Sequence, residues 1–188
     1  MNRPLPRRST ALEPDDTKLA ELMLYVARRS EADLAFGATK LNKILFFADF
    51  LAYVRTGHPI TGQVYQKLEH GPAPRRLLPV RNQLLTTAAA ALASRDRFGR
   101  KRECLVALRE PDLARFSGVE IAIVDEVIAL LADHDARAAS ELSHRFLGWQ
   151  LAALGEDIPY ESALIERRPL TEAEEAHART VTITRSAN

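Results

Sequence analysis

The residues of this chain that could do chemistry are few and scattered. Five histidines stand at His58, His70, His134, His144 and His177. None shows the H-x-x-x-H or comparable spacing that sets two imidazoles on one helical face for a metal. His144 lies three residues after Glu141, which supplies one carboxylate and one imidazole and falls short of a ligand set. Ser143 adjoins His144, but a helix directs adjacent residues apart and no G-x-S-x-G turn surrounds the serine. Cys104 precedes Leu105-Val106 and reads as a small buried residue, and as the sole cysteine it forms no internal disulfide. No phosphate-cradling loop is present. The expectation is a chain without catalytic apparatus: not an enzyme, with no cofactor and no metal.

The remaining candidates concern recognition. Asp49, inside the apolar run FFADF, needs a partner, because burying an unpaired carboxylate costs several kcal/mol. A structural hydrogen bond or ion pair and an exposed contact for a partner are both open. Arg95, Arg97, Arg100, Lys101 and Arg102 form the one dense basic cluster, diluted by Asp96 and Glu103. Such a cluster can follow a phosphate backbone, and it also serves as an ordinary charged hairpin tip. Tyr65, Lys67, Glu69 and His70 precede a Gly71-Pro72 turn, and loops set on a rigid scaffold are usual places for binding residues. Trp149, on an amphipathic stretch, is either core or interface anchor.

These residues have to be positioned by helices. From Leu41 to Val54 almost every position is apolar, so a helix there is surrounded by protein. Thr39 is its expected N-cap, and Thr56-Gly57 with Pro59 its stop. Upstream, Leu19, Leu22, Met23 and Val26 fall at helical spacing over about 17–29, with Asp15 and Asp16 at the cap. The stretch 33–38 is a linker. Ile60–Glu69 alternates too weakly to decide between strand and loop. Leu77 to Ala93 is expected to be helical, with Val80, Leu84, Ala88 and Leu92 along one side, helped by the high helix propensity of Ala88–Ala91. A β-hairpin centred on Gly99 follows. Ser117 and Glu120 form a capping box with Phe116 and Ile121 as a staple, opening a helix to about Ala132 that buries Ile121, Val124, Ile128 and Leu131. A longer helix over about 136–154 carries Leu142, Phe146, Trp149 and Ala153. A short one runs from Tyr160 to Glu166, and Thr171–Glu174 is a second capping box.

Composition bounds the class. Apolar residues at 46% and charged residues at 27% are ordinary for a globular domain, and a net charge of +1 gives no global field for nucleic acid or membrane. Arg3, Arg7 and Arg8 have no apolar stretch behind them, so no secretory signal is expected and cytoplasmic is the default. Residues 1–14 read as a flexible arm, 15–168 as one helical domain, and 169–188 as a short helix and tail.

Taken together, Lys40-Leu41 with Lys43, Phe46-Phe47-Ala48, Thr56-Gly57, Tyr65, Gly71-Pro72 and the later Glu141-Leu142-Ser143-His144…Trp149 occur in a telling order. The chain resembles the Panacea domain family, which includes the SocA antitoxin group, over roughly 18–165. Arg75-Arg76 departs from the family's pattern after the turn. The resemblance implies an antitoxin-like module that neutralises a co-encoded toxin by direct contact. A DNA-binding regulator using residues 95–102, or an adaptor delivering a partner to a protease, are the alternatives. The expected fold is mainly α: about six helices around a buried helix at 41–54, with one small wing-like β-hairpin. The expected partner-binding residues are Tyr65, Lys67, Glu69, His70, Asp49 and Trp149.

Overall fold

A computed structural model of the chain describes residues 13–97 and 100–165, with backbone alone at 96, 97 and 100–102. Helix α1 spans Asp16–Arg29, and the Asp15 carboxylate accepts the Lys18 amide at 2.8 Å. Its Leu19, Leu22, Met23 and Val26 are fully buried, as their spacing requires. Helix α2 spans Ala38–Thr56 and closes on Gly57, whose left-handed φ of +82° lets its N–H reach the Tyr53 carbonyl. The N-cap is Gly37, so the expected cap Thr39 lies inside the first turn.

The apolar ring of α2 has a direct cause: the helix serves two cores. Leu41, Ile44, Leu45, Ala48 and Ala52 join α1 and the helix at Gly118–Leu131 in the larger one. Phe46 and Phe50 turn the other way, into an aromatic cluster with Tyr65, Tyr160 and Phe146. Phe146 stands edge-on to both phenylalanines, with ring centroids 5.1 Å from each.

Beyond α2 the chain forms two short strands, β1 (Tyr65–Gln66) and β2 (Ala73–Pro74), and then α3 (Leu77–Thr86). The expected helix to Ala93 stops seven residues early. Ala88 takes a left-handed φ of +52°, and Ala90–Arg97 becomes strand β3, paired antiparallel with β4 (Arg100–Ala107) from Ala90↔Ala107 to Arg97↔Arg100. The helix propensity of the alanine run loses to eight cross-strand pairs and to the burial of Ala89 and Ala90. Gly99, the expected hairpin centre, lies outside the described residues.

Helix α4 (Gly118–Leu131) opens on the capping box: Ser117 Oγ accepts the Glu120 amide while Glu120 accepts the Ser117 amide. Its buried face is Ile123, Val124, Val127 and Leu131, rotated from the expected one, so that Ile121 and Ile128 are only half-buried. The expected long helix at 136–154 is broken into α5 (Ala136–His144) and α6 (Leu147–Leu151). Phe146 leaves helical geometry at φ −69°, ψ 126° to seat its ring against α2. Strand β5 (Asp157–Ile158) completes a three-stranded sheet in the order β2-β1-β5, and a 3-10 turn at Tyr160–Leu164 replaces the expected final helix. The expected arm up to residue 12, the Thr171 capping box and the tail lie outside the described residues.

Candidate functional site

The segment from Thr61 to Pro74 is pinned to α2 by Asp49. One carboxylate oxygen accepts the Thr61 amide at 2.7 Å; the other accepts the Thr61 hydroxyl at 2.5 Å and the Tyr65 hydroxyl at 2.8 Å. Asp49 is completely buried and Tyr65 nearly so. Burial pushes the carboxyl of Asp49 up, against the hydrogen bonds from Thr61 and Tyr65, which favour its ionised form. Burial likewise drives the Tyr65 hydroxyl well above its ordinary value, with the Asp49 charge adding to it. Tyr160 extends the network by donating to the Gln63 carbonyl at 2.7 Å. Asp49 and Tyr65, both expected in a partner surface, are therefore interior. Their partners are the chain's own groups.

The other expected residues reach the surface together. The Lys67 amide donates to the Glu156 carbonyl and the Lys67 carbonyl accepts from the Gly155 amide, so β1 carries the next residues out beside the 152–156 turn. The Lys67 ammonium lies 4.3 Å from the centre of the Trp149 ring and donates to the Ala152 carbonyl at 2.9 Å. Trp149 stacks on His144, with centroids 4.0 Å apart and planes 11° from parallel, and its indole N–H donates to the Leu68 carbonyl. The Ser140 hydroxyl holds the His70 carbonyl at 3.1 Å. Lys67, His70 and Trp149 thus form one surface with His144, and Glu69 stands exposed at its edge.

Sequence reasoning missed the residue underneath. Lys43 is 2% exposed, and its ammonium donates to the Pro72 carbonyl at 3.3 Å. Among the described residues no carboxylate pairs with it. Burial lowers its pKa to about 7. Gly71, at φ +98°, makes room for it: a Cβ there would stand 2.4 Å from Lys43 Nζ and 2.5 Å from Ser143 Oγ. His144 is held below its ordinary value by burial first, then by the charges of Lys43 and His70. Its buried Nε2 has no hydrogen-bond partner among the described residues. The available signal was two lysines, Lys40 and Lys43, inside a helix otherwise apolar on all sides.

Lys43, Asn42 and Thr39 of α2 face Leu68, Glu69, His70 and Leu154 across a surface groove of about 510 Å³. The buried side-chain oxygen of Asn42 also lacks a hydrogen-bond partner among the described residues. The chemistry on offer is recognition of an anionic group within an apolar surround.

Elsewhere, the Arg95 guanidinium donates to the Glu31 carbonyl at 3.3 Å, and the side chains of Arg97, Arg100, Lys101 and Arg102 lie outside the described residues. Cys104 is buried, with its thiol directed at the Phe36 carbonyl. The Ser143 hydroxyl donates to the Ser140 carbonyl at 2.7 Å, within its own helix. No group of three or more His, Cys, Asp or Glu among the described residues could hold a metal ion, and no described helix is long and apolar enough to cross a membrane.

The family model described as antitoxin SocA-like, Panacea domain, matches residues 41–150, more than half of the chain. The chain belongs to that family. The matched span runs from Leu41, in the first turn of α2, to Gln150 and includes the Asp49 pin, Lys43, Lys67, His70, His144 and Trp149, while Thr39 and Leu154 of the groove fall just outside it. No curated protein and no solved structure matches the chain.

Proposed function

We propose that this protein is an antitoxin that neutralises a co-encoded toxin by binding it directly, without catalysis, in the cytoplasm. The observation that carries the reading is membership of the SocA-like Panacea family over 41–150. The surface of Lys67, His70, His144 and Trp149 supports it, because an indole held by a stacked ring, a cation and a hydrogen bond is a preorganised anchor of the kind that dominates interfaces.

Co-expression with the adjacent open reading frame tests it. The neighbour alone is expected to arrest growth, the pair to grow and to co-purify. Trp149→Ala with Lys67→Glu is expected to abolish rescue while leaving the melting temperature within a few degrees of wild type. A harmless neighbour, or two proteins that do not co-purify, would remove the antitoxin reading.

A further inference from the structure

A buried ammonium with no carboxylate is costly to keep, and a protein that keeps one at the floor of an open groove has a use for it. Lys43 donates one of its three N–H bonds, to the Pro72 carbonyl, and that bond is long. Next to it, the Asn42 side-chain oxygen is buried and has no partner among the described residues. The groove wall is mostly apolar: Ala38, Leu68, Ala73 and Leu154. Leu154 is 73% exposed and Leu68 38% exposed, so apolar surface continues past the groove mouth into water. Within the lining the single carboxylate is Glu69, which is exposed and unpaired with Lys43, while His70 faces the groove and Lys67 and His144 stand beside it.

We propose that this groove is where the partner is seated, and that it takes an acidic side chain of a protein segment flanked by apolar residues, the carboxylate pairing with Lys43. The proposal rests on the antitoxin reading for the partner's source and on the groove alone for its chemistry. A protein segment fits better than a small molecule, because Leu154 and Leu68 offer apolar contact outside the groove as well as inside it. An internal side chain fits better than a chain end, because that outer apolar surface needs chain running on beyond the carboxylate. Seating the carboxylate supplies Lys43 with the charge it lacks.

The test uses the full chain labelled with 13C-lysine, whose five lysines give few enough side-chain signals to follow individually. The probe is acetyl-Leu-Glu-Leu-amide at millimolar concentration, compared with acetyl-Leu-Gln-Leu-amide. The glutamate peptide is expected to move the Lys43 Cε resonance and to raise its titration midpoint by about one pH unit or more. The glutamine peptide should leave it in place. Leu154→Asp should weaken the effect by about tenfold or more, and Glu69→Gln, by removing a like charge, should strengthen it. A Lys43 signal that the glutamate peptide leaves unmoved, or that both peptides move equally, overturns the proposal. So does sedimentation showing a dimer of the protein that Leu154→Asp splits, which would give the groove to a second copy. With the co-encoded neighbour, Lys43→Met is expected to lose about 30-fold in affinity while melting no lower than wild type. If wild type ignores the neighbour but the peptide results hold, the antitoxin reading fails and the groove's chemistry stands. If it binds the neighbour and Lys43→Met binds equally well, the groove is not the seat.

Discussion

Lys40 and Lys43 lie one turn apart on α2, and both are almost completely buried, at 1% and 2% exposure. The ammonium of Lys40 is 2.5 Å from the Asp33 carboxylate and donates to the Ala132 carbonyl at 3.0 Å. Lys43 has the Pro72 carbonyl at 3.3 Å and no carboxylate among the described residues. Taking an ion out of water costs several kcal/mol, and only good partners offset it. Lys40 has such partners, a carboxylate from the turn that leads into its own helix and a carbonyl from the end of α4. Asp49, two turns further along, has them in Thr61 and Tyr65. Lys43 does not. Burial alone therefore does not separate a structural charge from one held ready for a ligand; the inventory of partners does.

The largest effect should come from the best-answered group. Asp49→Ala leaves the Thr61 amide, the Thr61 hydroxyl and the Tyr65 hydroxyl buried without their acceptor. A loss of about 3–5 kcal/mol is expected in urea unfolding, with Asp49→Asn losing less because it keeps one acceptor oxygen. A loss below about 1 kcal/mol would mean that the pin does not hold the 61–74 segment, and the contrast with Lys43 would lose its structural pole.

Next in size is a difference of sign. Lys40→Met strands Asp33, which is one-fifth exposed and can partly rehydrate, so a loss of about 2 kcal/mol is expected. Lys43→Met removes a charge that no described carboxylate neutralises and fits an unbranched apolar chain into the same space, so a gain of about 2 kcal/mol is expected at pH 7. Chemical denaturation of the two variants side by side decides it. Two losses of equal size would show that Lys43 is a structural lysine like its neighbour.

The sequence carried some of this and concealed the rest. The α1 face, the Ser117 capping box and the Gly57 stop were legible because each depends on residues close in the chain. The strand at Ala90–Arg97 was not, since its pairing with Arg100–Ala107 overrides the local preference of four alanines. Nor was the break at Phe146, whose ring is drawn from its helix by Phe46 and Phe50, about a hundred residues earlier. For the site, Lys67 and Trp149 were named from the sequence and stand in contact, whereas Asp49 and Tyr65 were named for a surface and are interior. Lys43 was legible only as a motif residue beside Lys40, because a lysine's partner depends on a turn 29 residues away.

The smallest expected effect isolates Lys43 by pH. Its folded-state pKa, about 7, lies below the 10.5 of an unfolded lysine, so between those values the unfolded chain binds the extra proton. Stability from this group therefore rises with pH across that window, and below pH 7 both states are charged and the whole penalty remains. His144, also held low, acts in the same direction only below its ordinary value of 6.5, while Tyr65 and Tyr160, held high, lower stability above about pH 10. The tyrosines remain in Lys43→Met, and His144, whose shift the Lys43 charge helps to cause, titrates below the window from pH 7 to pH 9, so over that range the difference between the two proteins reports Lys43. The advantage of the variant is expected to shrink by about 1–2 kcal/mol between pH 7 and pH 9 in matched urea unfolding curves. An advantage constant over that range would mean that Lys43 keeps an ordinary pKa, and so that some group already answers its charge. The contrast between the two lysines would then be one of distance alone.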